Sequence, residues 1–196
     1  MINKEGVQLE NLEEKIAEWG ESLLLFHLPR WEELPEIELY MDQVITLVDQ
    51  YLSSVIHRDK HSLLTPSMVN NYVKNGMIPA PKKKRYTKKH VAFLIAITLL
   101  KQVLTINEIK NGILFQGKVI GIRNAYNVYC DKQEEAIHLV CQQAMGLVSK
   151  PSEQATNIKL LAAQSAATAF ANKLLAEKMI QIETRYLKEG VENEQK

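Results

Sequence analysis

Apolar residues at helical spacing run through most of this chain, and they restrict it to folds built from packed helices. Leu12, Ile16, Trp19, Leu23 and Phe26 follow a 4-3-4-3 spacing, which lays one apolar stripe along a helix with Glu13, Glu14, Glu18 and Glu21 off it. The spacing predicts a first helix ended by Pro29. A second runs from Leu39 through Val44, Leu47, Val48, Tyr51, Leu52 and Val55 to about His57. Thr65-Pro66-Ser67 offers a threonine cap with proline at the first helical position, and Asn75-Gly76 closes that third helix. Thr87 caps a strongly apolar fourth helix, Lys88 to about Gln102, and Thr105 with Glu108 forms a capping box for a shorter fifth. Gly117 and Gly121 loosen the chain before an amphipathic segment carrying Tyr126, Tyr129, Gln133, Ala136, Val140 and Ala144, which Gly146 terminates. The last helix is expected from about Pro151 to Lys188. Only Pro79 to Tyr86, whose prolines exclude a helix, reads as an extended basic loop or small hairpin. With eight Gly and six Pro in 196 residues, the expected fold class is all-α, a helical bundle.

The formal net charge of +1 conceals a strong division along the chain. Residues 1–59 hold 13 acids and four bases, residues 60–107 hold nine bases and no acid, and residues 108–196 hold 10 acids and 11 bases. A 48-residue window without a carboxylate has the footprint of a reader of the phosphate backbone. The competing reading is a solvated basic face that meets an acidic surface, the 1–59 block of the same chain included.

Within that window the order is helix, short helix from Thr65 to Asn75, basic loop, apolar helix, short capped helix, which is the plan of a winged helix-turn-helix. Ser67, Asn70, Asn71 and Lys74 on the second helix are polar residues able to reach base edges or phosphates, and asparagine pairs with adenine through two edge groups. Met68, Val69 and Tyr72 supply its packing face. The wing carries Lys82, Lys83, Lys84, Arg85 and Tyr86, and Lys88 and Lys89 follow at the next helix start. These eleven polar and basic positions are the candidate DNA-binding set.

The run Leu64-Thr65-Pro66-Ser67-Met68-Val69-Asn70-Asn71-Tyr72, then Asn75-Gly76-Met77-Ile78-Pro79, resembles the recognition helix of MerR-type regulators. Lys84-Arg85-Tyr86 resembles their wing, and Leu104-Thr105-Ile106-Asn107-Glu108-Ile109 their next helix start; the resemblance covers about residues 39–113. More narrowly, Asn70-Asn71-Tyr72-Val73-Lys74 with Pro81-Lys82-Lys83-Lys84 and Tyr86 is similar to a bacterial family of unknown function, numbered 1836 and considered MerR-like. The resemblance implies a DNA-binding transcriptional regulator. The chain departs from the MerR pattern at Asn70 and Lys84, where arginines are usual, and at Val103, where glycine is usual. Lysine keeps the charge but loses the planar fork.

Residues 1–34 are expected as an N-terminal helix packed on the core, 35–116 as the winged unit and 117–196 as a C-terminal helical region. In the last, Leu175, Met179, Ile182 and Tyr186 keep a 4-3-4 spacing behind an alanine-rich stretch that favours close packing. Such a long helix either pairs with a second copy or passes through a monomeric bundle, and the first is favoured because most soluble oligomers are symmetric dimers. The expected partners are double-stranded DNA and a second copy of the chain, with no membrane; any effector is left open.

No cofactor or metal is expected. Cys130 and Cys141 lie about three helical turns apart, and His57 and His61 lack a third ligand. The two cysteines read as buried thiols of a reducing compartment, and Val91 to Leu100 is about half the ~20 residues that cross a bilayer, so the expected location is the cytoplasm. Trp19, Trp31, Tyr126, Tyr129 and Phe170 fit core packing better than a ligand pocket. No glycine-rich phosphate loop, GxSxG, CxxC or paired loop carboxylates occur, which favours a regulator over an enzyme. The alternative from another class is a protein–protein adaptor on a helix-turn-helix scaffold that has lost DNA binding.

Overall fold

The structure, a computed structural model, describes residues 4–56, 63–147 and 160–194. Seven helices follow in order: α1 (Lys4–Leu23), α2 (Met41–Leu52), α3 (Pro66–Lys74), α4 (Lys88–Leu100), α5 (Ile106–Ile120), α6 (Ile122–Ala144) and α7 (Leu161–Glu194). Two isolated β-bridges are the only extended pairings among the described residues, so the fold is all-α. One apolar core runs from Ile16 and Trp19 of α1 through α2, α3, α4 and α6 to Phe170 and Ile182 of α7.

The first helix stops at Leu23, well before Pro29. A turn in which Phe26 N–H donates to the Leu23 carbonyl (3.0 Å) carries the stripe past the helix end, leaving Phe26 buried without helical backbone. The connection that follows is clamped to α6. The Arg30 guanidinium makes two parallel 2.7 Å bonds to the Glu134 carboxylate, Leu28 N–H donates to the same carboxylate (2.6 Å), and the Tyr126 hydroxyl donates to the Pro29 carbonyl (2.8 Å). This polar clamp fixes the connection that follows the turn. Helix α1 also lies close against α6: a Cβ on Gly20 would stand 2.9 Å from the Cys141 carbonyl oxygen and 3.1 Å from Ala144 Cβ.

Helix α2 is shorter at both ends than its apolar period implies, because Leu39 is taken into a β-bridge and Val55 and Ile56 are buried in the turn after Leu52. His57, Lys60 and His61 lie outside the described residues. Helix α5 is longer than expected, 15 residues, and runs straight through Gly112 and Gly117. Only Gly121, at φ +79°, breaks it from α6, so the expected boundary at residue 116 falls inside α5. A helix interior tolerates glycine at a cost of about 0.5–1 kcal/mol, whereas positive φ ends it.

Helix α7 spans 34 residues, about 51 Å at 1.5 Å per residue; the expected start at Pro151 lies outside the described residues. It packs chiefly on α6 and also on α1 and α4, with Ala166, Ala167, Phe170, Ala171, Leu174 and Ile182 buried in the chain's own core. Where α7 passes α4, α5 and α6 the helices enclose a partly open cavity of about 560 Å³.

Candidate nucleic-acid interface

Helix α3 is built as its sequence dictates. Met68 N–H donates to Thr65 Oγ1 (3.2 Å) at the N-cap, Pro66 occupies the first turn, and Gly76 follows the last turn at φ +65°. Val69 and Tyr72 are buried and hold the helix against α2, while Ser67, Asn70, Asn71 and Lys74 are exposed. Met77 N–H returns to the Tyr72 carbonyl (2.9 Å), which fixes how the chain leaves α3 for the basic loop.

That loop is a tight turn. Arg85 N–H donates to the Lys82 carbonyl (2.8 Å), and Lys83 and Lys84 both adopt the left-handed region, at φ +48° and +62°. Two successive positive φ values are the requirement of a type I′ turn, usually met by Asn-Gly because a Cβ is strained there. The turn is anchored by a hydrogen-bonded β-bridge in which Leu39 and Tyr86 exchange two 2.8 Å bonds just before α2. Helix α3 and the turn are thus held by the same element, α2, from its side and from its N-terminal approach.

The eleven candidate residues divide once placed. Lys82, Lys83 and Lys84 are exposed, and neither their side chains nor that of Lys74 form an ion pair or hydrogen bond with any described residue. Arg85 is half-buried, its guanidinium 3.6 Å above the Tyr40 ring. Lys88 is paired with Glu36 and lies near the Trp31 ring, and Lys89 lies 6.0 Å over Phe93. Tyr86 is only 3% exposed and stacks edge-on against His90 at 5.3 Å, so the structure gives it to the core and to the bridge. Burial pushes its phenol above the ordinary range.

Helix α4 begins with Lys88, Lys89 and His90 and has no acid in its first turn, an arrangement that opposes the helix dipole. Thr87 N–H donates to His90 Nδ1 (2.9 Å), which leaves the ring proton on Nε2, and burial pushes the His90 pKa down. The imidazole therefore acts as a neutral cap between turn and helix. Lys101, at the other end of α4, donates to the Leu63 carbonyl (2.6 Å) and is also held down by burial, so it is part of the scaffold.

Tyr40 beneath Arg85 and Glu36 beside Lys88 were not legible as parts of this surface. Each belongs to the acidic or apolar N-terminal segment and is brought in only by the long-range Leu39–Tyr86 bridge. The strained lysine pair gave no sequence signal either, because neither residue is a turn former.

Cys130 and Cys141 are buried and free; burial drives the Cys130 thiol up to about 12. Trp19, Tyr126, Tyr129 and Phe170 lie in the core and Trp31 packs partly buried against it, although Tyr126 and Tyr129 also contribute to the wall of the C-terminal cavity. Among the described residues no helix is long and apolar enough to cross a membrane.

Residues 29–129 match the family model described as a domain of unknown function, DUF1836. The match covers just over half of the chain and contains α2, α3, the basic turn, α4 and α5; the chain belongs to this family. No curated protein and no solved structure matches it.

Proposed function

We propose that this chain is a DNA-binding transcriptional regulator whose α3 faces base edges and whose Lys82–Arg85 turn follows the phosphates, in the manner of a MerR-like winged helix-turn-helix. The observation that carries the reading is the set of exposed cations, unpaired among the described residues, on two elements anchored to α2: Lys74 on α3 and Lys82, Lys83 and Lys84 on the turn. Exposed lysines concentrated at a strained turn do nothing for the stability of the chain that carries them, whereas each phosphate they neutralise releases a counterion. Asn70 and Asn71 on the same face of the unit supply donor–acceptor pairs for base edges. Binding as a homodimer fits this reading, since two half-sites one helical turn apart need two copies.

Fluorescence anisotropy with a labelled random-sequence duplex, titrated in salt, tests the reading. The expected result is binding at low salt whose logarithm falls linearly with the logarithm of salt concentration, with a slope reduced by up to about three when Lys82, Lys83 and Lys84 are replaced together by Ala. No binding at low salt, or a slope unchanged by the triple substitution, overturns it, and capture of an acidic protein by the same lysines would replace it with the adaptor reading.

A further inference from the structure

We propose that the cavity enclosed by α4, α5, α6 and α7 is a binding site for an uncharged lipophilic small molecule. Its volume of about 560 Å³ lies within the roughly 300–1,000 Å³ of pockets that take such ligands. The walls are almost wholly apolar, from Phe93 and Leu100 of α4 to Ile113 of α5 and Tyr129 of α6, so ordered water finds few partners inside.

The shape of the cavity is set by residues that stay small without being crowded. A Cβ on Gly112 of α5 would meet nothing within 4 Å, and one on Gly117 would meet only Ile122, at 3.5 Å. Both glycines sit inside a helix, where alanine is the better residue, and both line the cavity. No neighbouring side chain requires them, in contrast to Gly20, which stands under a carbonyl. Gly112 is exposed and Gly117 half-buried, so a larger side chain at either narrows the mouth or the wall of the cavity.

Charge selects the ligand class. Among the described residues the only charged side chain on the wall is Glu108, and no Lys, Arg or His lines it. The Glu108 carboxylate accepts from Thr105 N–H (2.8 Å) and from the Thr105 hydroxyl (2.7 Å), bonds that hold its pKa low. It stays ionised and repels an anion, and its Oε2 is committed to the helix cap. The deeper wall includes Ala92 and Ile109, both core residues, so the occupant enters as a small molecule; a helix of a second copy lying across the mouth would not reach them. This site is independent of the DNA-binding reading.

Titration of the full-length chain with the neutral dye N-phenyl-1-naphthylamine, followed by fluorescence, tests the proposal. Saturable binding at one site per chain is expected, with displacement by 1-dodecanol and at least about tenfold weaker displacement by dodecanoate. Gly112→Leu and, separately, Ala163→Leu should each weaken dye binding at least about tenfold while circular dichroism shows the helices retained. Ala163 is half-buried at the cavity, so it serves if the glycine substitution does not fold. Absence of saturable binding overturns the proposal, as does dye binding that survives both filled variants. Equal displacement by dodecanoate overturns the uncharged class. Dye binding that appears only on dilution of a sedimenting dimer hands the cavity to a second copy and likewise overturns it.

Discussion

Lys83 and Lys84 occupy backbone conformations that a side chain disfavours, so stability and binding pull in opposite directions at the turn. An L-residue in the left-handed region carries a strain of about 1–2 kcal/mol that glycine avoids. Lys84→Gly is therefore expected to raise the urea unfolding free energy by about 1 kcal/mol while lowering duplex affinity by the loss of one phosphate contact. Urea melts and anisotropy on the same preparation check both signs; a variant that gains stability and keeps full affinity removes Lys84 from the interface. On α3 the expectation differs in kind. Asn70→Ala or Asn71→Ala should relax preference at one position of a selected duplex by about 1–3 kcal/mol and leave random-sequence affinity unchanged, which selection from a random library followed by competition measures. The exposed face of α3 was legible because a cap, a proline and two buried residues fix its orientation. The burial of Tyr86 was not legible, because aromatic residues beside lysines look alike whether they face solvent or a bridge partner 47 residues earlier in the chain.

Helix ends were legible where a side chain or a positive φ makes the stop, as at Thr65, Thr105 and Gly146, and illegible where the stop is tertiary. The chain beyond the end of α1 at Leu23 is fixed by a clamp to α6, 106 residues away in sequence at its Leu28–Glu134 bond, which no local pattern announces. Two glycines illustrate the same point in opposite senses. Gly20→Ala should destabilise the chain by about 1–3 kcal/mol because its Cβ meets the α6 backbone, whereas Gly112→Ala should stabilise it by about 0.5–1 kcal/mol because its Cβ meets nothing. Thermal melts of the pair decide this, and equal effects of one sign would break the argument. The clamp itself has a pH signature. Burial pushes the Glu134 carboxyl up, but the bonds from Arg30 and Leu28 N–H more than offset it, so its pKa is lowered overall from 4.5. A lowered carboxylate contributes stability that is complete above its unfolded value and lost as pH falls through the folded one. Arg30→Ala should cost about 2–3 kcal/mol at pH 7, and its deficit against the wild type should shrink as the pH falls below about 4. Urea melts at the two pH values measure it; a deficit independent of pH would assign the loss to packing.

At the scale of the whole molecule, the acidic and basic blocks of the sequence meet just before α2: Glu36 pairs with Lys88 and Tyr40 lies under Arg85, while among the described residues Lys74, Lys82, Lys83 and Lys84 on α3 and the turn keep exposed charges without an acidic partner. The same redistribution changes how self-association has to be tested. The late apolar seam of α7 suggested a surface for a second copy, yet Ile182 is 7% exposed within the core of its own chain, because α1 and α6 lie against α7. The side chain of Tyr186 lies outside the described residues. Deleting residues beyond 150 would strip α7 from α6, uncovering apolar core surface and unfolding or aggregating the remainder, so a truncation reports on folding before it reports on assembly. Outside that buried face, Ile180 is 61% exposed. Ile182→Asp is accordingly expected to lower the urea midpoint, since an unpaired charge would enter an apolar site, with no specific effect on assembly. Ile180→Asp is expected to leave the midpoint within about 0.5 kcal/mol and to shift sedimentation at micromolar concentration from dimer toward monomer, because a charge at the centre of a helix pair weakens association without touching the fold. Wild-type chain that sediments as a monomer at that concentration removes α7 as a dimer contact, and with it the two-copy reading of a DNA half-site pair.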